Sequence, residues 1–239
     1  MQLDDGVMND VVGWDVRTWS KAVRFWETVV TPMGAPLDVL EVGAGPGGVS
    51  LWLALAGHRV TCTNYDYTVE QARPLHERYG VADRIEYRDL DILDLPYENR
   101  FDLVVFKSVL GGIPDSDLAR HEAAIEQVRK VLKPGGRLIF AENLRGTLVH
   151  QLARRIAYRV RRVRMWQYIT LREYRELLSD FDAVELHVTG FLGLFGRKES
   201  TRAALARVDA AFLNRAVPAS WHYVVYGTAV KPVAAAPVP

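Results

Sequence analysis

The stretch Val39-Leu-Glu-Val-Gly-Ala-Gly-Pro-Gly-Gly-Val-Ser50 constrains the fold more than any other part of the chain. A short apolar run ends in glycines at 43, 45 and 47, and a helical pattern begins directly after them. This reads as a buried strand turning through a bare backbone loop into a helix. Such a turn places a ligand site at the carboxyl end of a strand. With 38–42 as the first, strand-like runs follow at 59–63, 84–87, 101–106 and 137–141. Helices are expected between them at 47–56, 68–79 and 117–132, the last stopped by Lys133-Pro-Gly-Gly136. Strand, crossover, strand predicts parallel pairing with helices on both faces. Beyond Glu142 the pattern predicts helices at 147–164, 170–180 and 201–216 and strands at 183–189 and 221–230. The expected class is α/β: a doubly wound, mostly parallel seven-stranded sheet with helical cap insertions after the fifth and sixth strands, at about 144–180 and 190–220.

Residues 1–36 read as an amino-terminal adapter, polar and flexible through Gly13. A helix from Val16 to Val30 then carries Trp19, Val23, Trp26 and Val30 on one stripe, closed by Pro32 and Gly34. Residues 37–232 form the main domain, and the Pro/Ala-rich 233–239 is expected to be a disordered tail. A chain of 239 residues with 49% apolar and 25% charged side chains supports one core and excludes disorder for its bulk. Lys and Arg number 30 against 29 Asp and Glu, so no global field steers the chain to nucleic acid, and any basic function is local. The single cysteine, Cys62, excludes an intramolecular disulfide and a cysteine-based zinc cluster. With no leader-like start and no apolar run of ~20 residues, the expectation is a cytoplasmic protein without an integral membrane segment.

The loop's ligand follows from its charge. A dinucleotide fingerprint spaces its glycines G-x-G-x-x-G and receives a pyrophosphate at the helix start. Here the spacing is G-x-G-x-G, and Glu41 stands two positions before Gly43. A carboxylate there opposes phosphate and suits a cationic ligand. At this point residues 35–142 resemble the class I S-adenosylmethionine-dependent methyltransferases, whose first motif is E/D-x-G-x-G-x-G. The resemblance implies a Rossmann-like methyltransferase fold and S-adenosylmethionine as cofactor, with S-adenosylhomocysteine as product. It implies that Glu41, Gly43, Ala44, Gly45 and Gly47 hold the methionine end. At the end of the second strand, Asn64, Tyr65 and Asp66 fall where the family places its ribose-binding acid, and either Asn64 or Asp66 would fill that role. Asp91-Ile-Leu-Asp-Leu-Pro96 is similar to the family's D-x-x-D-L-P run, so Asp91 would accept from the adenine amino group and Ile92 would pack on the ring. Lys107, in FDLVVFKSVLGG after Arg100, lies on the approach to the cofactor.

The acceptor side lacks N/D-P-P-Y after the fourth strand, where Lys107-Ser-Val-Leu110 stands, which disfavours base N-methylation. Cytosine C5 methylation needs a cysteine nucleophile, and Cys62 lies inside the second strand. O-methylation, or N-methylation of a small amine, is left. Glu142 and Asn143 end the fifth strand, and His150 follows within two helical turns. Glu142 or His150 is the expected base, and a divalent cation such as Mg bridging acceptor hydroxyls to Glu142 and Asn143 is a further expectation. Seven arginines between Arg145 and Arg164 lie on a helix expected to pack its apolar stripe (Leu148, Leu152, Ile156, Val160, Val163) and expose a basic face. Phe140-Ala-Glu-Asn143, the basic segment running to Trp166-Gln-Tyr-Ile-Thr170, and Trp221-His-Tyr-Val-Val-Tyr-Gly227 faintly resemble bacterial, especially actinobacterial, sugar and polysaccharide O-methyltransferases. The acceptor this implies is a hydroxyl of a sugar, oligosaccharide or polysaccharide precursor. A polyketide, phenolic or other small natural product is the alternative, an RNA acceptor a weaker one, and a homodimer is left open.

Overall fold

The computed structural model of the protein describes residues 3–65, 69–114 and 117–233. Seven strands, β1 (Asp38–Val42), β2 (Arg59–Asn64), β3 (Ile85–Asp89), β4 (Phe101–Lys107), β5 (Leu132–Asn143), β6 (Asp182–Thr189) and β7 (Val224–Val230), form one sheet in the order β3-β2-β1-β4-β5-β7-β6. Strands β1 to β5 pair in parallel, and β7 runs antiparallel to both β5 and β6. This is the doubly wound seven-stranded sheet read from the sequence. The central strands are apolar almost without interruption because both faces are covered; β1 and β4 are nearly wholly buried. The exposed edge β6 instead carries Asp182 and Glu185, charges that discourage pairing with another chain.

Helices α1 (Asp5–Val12), α2 (Val16–Val30) and α3 (Gly48–Leu55) cover one face, where Trp19, Trp26 and Trp52 pack against Val39, Leu103 and Ile139. Helices α5 (Leu118–Val131) and α7 (Leu171–Leu177) cover the other, where Ala124, Val128 and Tyr174 meet Leu40, Val104 and Phe140. Helix α4 (Arg73–Arg78) flanks the glycine loop, α6 (Leu148–Arg161) follows β5, and α8 (Glu199–Val208) and α9 (Asn214–Ala216) lie between β6 and β7. The stripe expected on 16–30 is buried as read: Trp19, Val23, Trp26 and Val30 all lie in the core.

Several elements differ from expectation. Residues expected to be flexible include α1, whose amino end is capped by the Asp4 carboxylate accepting from the Val7 N–H at 2.8 Å. Strand β5 starts five residues early because the Pro-Gly-Gly turn is absorbed as a register irregularity against β4 rather than as a break. The helix expected over 68–79 begins as a tight turn at Val69–Ala72, and Pro74 stands in the first turn of α4. The helix expected over 201–216 is interrupted at Asp209–Leu213 by a widened turn. That turn buries Asp209, whose carboxylate accepts the N–H groups of Phe191, Leu192 and Gly193 at 2.9 to 3.2 Å.

The largest reversal is in α6. Its apolar stripe faces solvent, with Leu148 81% and Val160 77% exposed, while His150 and Arg154 turn inward. Hydrogen bonding decides this orientation. Arg154 Nη1 donates to the carbonyl of Leu144 at 2.6 Å and the guanidinium lies 3.9 Å from the Tyr168 ring centroid, anchoring the helix by its polar side.

Candidate active site

Strand order reverses between β1 and β4, so the loops after them leave in opposite directions and open a crevice at their carboxyl ends. The glycine loop lies in it. Gly43, Gly45 and Gly47 have φ of 65°, 56° and 85°, a region closed to most side chains. A Cβ on Gly43 would stand 2.6 Å from Val109 Cγ2, and one on Gly47 would stand 2.6 Å from His76 Nε2. The loop is pinned from β2: Ala44 N–H donates to Thr63 O and Gly45 N–H to Asn64 Oδ1, each at 2.8 Å, and Asn64 Nδ2 returns to Gly45 O at 3.3 Å. His76 completes the clamp. Its Nε2–H donates to Gly47 O and its Nδ1 accepts from the Tyr87 hydroxyl, both at 2.8 Å; burial lowers its pKa and favours this neutral ring. His76, on α4, is fully buried against the loop. Nothing in its spacing signalled this, because the contact spans 29 residues.

Glu41, at the inner end of β1, is 2% exposed. Its Oε2 accepts the Ser50 N–H at 2.7 Å and the Ser50 hydroxyl, so the carboxylate also caps α3. Burial pushes its pKa up to about 7. Across the crevice Glu142 is equally buried, and burial lifts it to about 7 as well, against the N–H groups of Val109, Leu110 and Asn143 that donate to it. Lys107 stands in the field of both carboxylates; desolvation brings its pKa down to about 8. Its Nζ donates to Val12 O at 3.0 Å and lies 5.0 Å and 5.5 Å from the ring centroids of Trp14 and Trp19. Burial thus penalises charge at all three groups, and the two carboxyls offset only part of that penalty at Lys107.

The other expected residues are distributed as follows. Tyr65 is exposed at the end of β2, and Asp66 lies outside the described residues. Asp91 is partly buried, its Oδ1 accepting the Leu93 N–H at 2.9 Å, and Ile92 is buried beside it. Asn143 donates from Nδ2 to Ser108 Oγ at 2.7 Å, and Ser108 sits in the left-handed region at φ 61°. His150 is engaged at both nitrogens: Nδ1 accepts from Thr147 N–H at 3.0 Å and Nε2–H donates to Phe191 O at 2.8 Å. In this conformation it caps α6 and has no nitrogen left for an acceptor proton. Glu142 and Asn143 do not gather further ligands; among the described residues no group of three His, Cys, Asp or Glu comes together. Around the carboxyl ends of β4 and β5 stand Trp14, Trp166 against Gly111 and Gly112, and Phe191 stacked on Trp221 with centroids 6.2 Å apart.

The model of a methyltransferase domain matches residues 18–187. The chain belongs to the S-adenosylmethionine-dependent methyltransferases. Among curated relatives of this methyltransferase, the polyketide synthase component of lovastatin nonaketide synthase from Aspergillus terreus is 33% identical over 117 residues, covering 44% of this chain and 4% of that protein. The ubiquinone/menaquinone biosynthesis C-methyltransferase UbiE of Shewanella frigidimarina is 28% identical over 158 residues, covering 63% and 58%. The chain thus spans less than two thirds of the length of each. In fold, the methyltransferase is similar to phosphoethanolamine N-methyltransferase 2 of Haemonchus contortus, solved with S-adenosylhomocysteine. The TM-score is 0.61 at 18% identity, over 90% of this chain and 53% of that one. The residues present fit the family's cofactor in kind: a sulfonium and an α-amino group are cations, and the crevice sets two acidic side chains, Glu41 and Glu142, and two indole faces, Trp14 and Trp19, around Lys107.

Proposed function

We propose that this methyltransferase moves a methyl group to a hydroxyl of a small natural product of polyketide or quinone type. The observation that carries the reading is the crevice in which Glu41 and Glu142, the acids we assign to the cofactor's cations, flank Lys107 beneath a rim of Trp14, Trp166, Phe191 and Trp221. Flat apolar faces stack on planar or macrocyclic acceptors, and the names of the relatives support that class. When bound, S-adenosylmethionine supplies an electrophilic methyl on its sulfonium. Gly43 to Gly47 would hold its methionine end, with Asp91 and Ile92 on the adenine side and Asn64 or Asp66 near the ribose. Glu142 Oε1 holds the backbone of Val109 and Leu110 in place, while Oε2 makes a single long bond, 3.3 Å from the Asn143 nitrogen. Oε2 is therefore the proton acceptor we assign: the hydroxyl proton passes to it as the oxygen takes the methyl, and a carboxyl near 7 suits that exchange at neutral pH.

A sugar hydroxyl is the second reading, favoured by the same aromatic rim, since indole faces also stack on pyranose rings. Transfer of radiolabelled methyl from S-adenosylmethionine over a panel of phenols, quinols and hydroxylated polyketides, beside a panel of hexoses and deoxyhexoses, separates the two. Turnover confined to the first panel is expected. Turnover confined to the sugars overturns the natural-product assignment and leaves the chemistry standing.

A further inference from the structure

The outward face of α6 has no partner among the described residues. Leu148, Leu152, Ile156 and Val160 follow one another at four-residue spacing, with Val149 beside them and Val163 and Met165 continuing past the helix end, and every one is exposed, from 40% to 81%. Isolated exposed apolar residues are ordinary on a protein surface; five on one face of a helix, with two more just past its end, are not. Arg155 and Arg159 run along one border of this stripe, and Arg161 and Arg162 stand at its end, all exposed. None of these four forms an ion pair among the described residues. From Asn143 to Arg172 the sequence has no Asp or Glu at all, in a chain whose formal net charge is only +1.

We propose that this face of α6 docks on an anionic lipid bilayer surface. An amphipathic helix lying in the interface needs an apolar stripe to enter the acyl boundary and basic side chains at its border to meet the headgroups. Both are here on one exposed helix, whose inward side is fixed by His150 and Arg154. A second copy of the chain fits less well, because two such faces would bring arginine against arginine with no carboxylate in the segment to offset them. RNA fits less well because it would engage the arginines and leave the apolar stripe in water. Helix α6 begins five residues after β5 ends, so docking sets the crevice end of the sheet beside the lipid. The docking surface stands whatever the acceptor proves to be.

Vesicle co-sedimentation of the full chain tests this, with phosphatidylglycerol and phosphatidylcholine in equal parts against phosphatidylcholine alone. Wild type is expected to partition onto the mixed vesicles and to be released by salt. Leu152→Ser with Ile156→Ser, and separately Arg155→Ser with Arg159→Ser, are each expected to lower that partition about tenfold or more. All four positions are exposed, so the melting temperature and the affinity for S-adenosylhomocysteine should stay at wild-type values; both are read in parallel to show that the variants are folded. No partition of wild type onto the mixed vesicles overturns the proposal, as does a partition unmoved by the serine pairs. A wild-type dimer in sedimentation equilibrium that Leu152→Ser with Ile156→Ser dissociates, without vesicle binding, reassigns the face to a second copy. Salt-sensitive binding of single-stranded RNA lost only with the arginine pair, without vesicle binding, reassigns it to nucleic acid.

Discussion

Two buried carboxyls dominate the chemistry of single residues. Glu142 has a folded pKa of about 7 against an ordinary 4.5, because burial penalises its charge more than Val109, Leu110 and Lys107 relieve it. A raised folded value means the native state binds that proton more tightly than the unfolded chain. Its stability contribution is full below the unfolded value and is lost as pH rises through about 7. Glu142→Gln keeps an acceptor for the two amides and cannot ionise. We expect it to gain on wild type between about pH 5 and about pH 8 by on the order of 1–3 kcal/mol, read from urea unfolding of both proteins at each pH. Comparing the two proteins cancels the buried histidines, whose lowered pKa values pull stability the other way. A difference that does not change with pH would remove the carboxyl from this account. In turnover, the same variant should lower kcat far more than it raises KM. At Gly47 the backbone sits at φ 85°, and a methyl would strike His76 and Ala72. Gly47→Ala is expected to weaken S-adenosylhomocysteine binding tenfold or more in calorimetry. Gly34→Ala carries similar strain at φ 80° with nothing within 4 Å, so it should cost stability while leaving that affinity intact.

At the scale of elements, α2 starts at Asp15 in a left-handed conformation and has no cap of its own. Glu199, on α8, supplies one: its two carboxylate oxygens accept the N–H groups of Asp15 and Val16 at 2.9 and 2.8 Å. Glu199→Ala should destabilise by about 0.5–2 kcal/mol in thermal or urea unfolding, the ordinary cost of losing a helix cap. The partners are 184 residues apart, which is why no local sequence signal predicted the pairing. What was legible in the sequence is what local pattern encodes. The alternation of β1 to β5 with helices and the stripe of α2 follow from period and spacing, and the placement of the glycine loop follows from residues that adjoin in the chain. What was not legible depends on long-range partners. The inward side of α6 was misread because periodicity says which residues share a face, not which face packs, and there the bonds of Arg154 and His150 outweigh the apolar stripe. Asn64 shows the same limit: its position at the end of β2 was clear, its double hold on Gly45 was not.

For the whole molecule, both cores share one sheet, and the amino-terminal layer reaches across it to the crevice through Val12 and Trp14 on Lys107. Occupancy of the crevice should therefore stabilise the entire chain rather than one loop. A ligand that binds only the native state adds RT ln(1 + [L]/Kd), about 2.7 kcal/mol at a hundredfold excess over Kd. For a domain of this size about 1 kcal/mol shifts Tm by 2–4 °C, so S-adenosylhomocysteine at that excess should raise Tm by about 5–10 °C in a single cooperative transition. NAD at the same concentration should leave Tm where it was, because in the proposed site its pyrophosphate would face the Glu41 carboxylate that we assign to the cofactor's cation. Calorimetric scans with each ligand make the comparison directly. A rise with NAD and none with S-adenosylhomocysteine would mean that the crevice selects phosphate over sulfonium, and the assignment of Glu41, Lys107 and Glu142 to a cation site would fall with it.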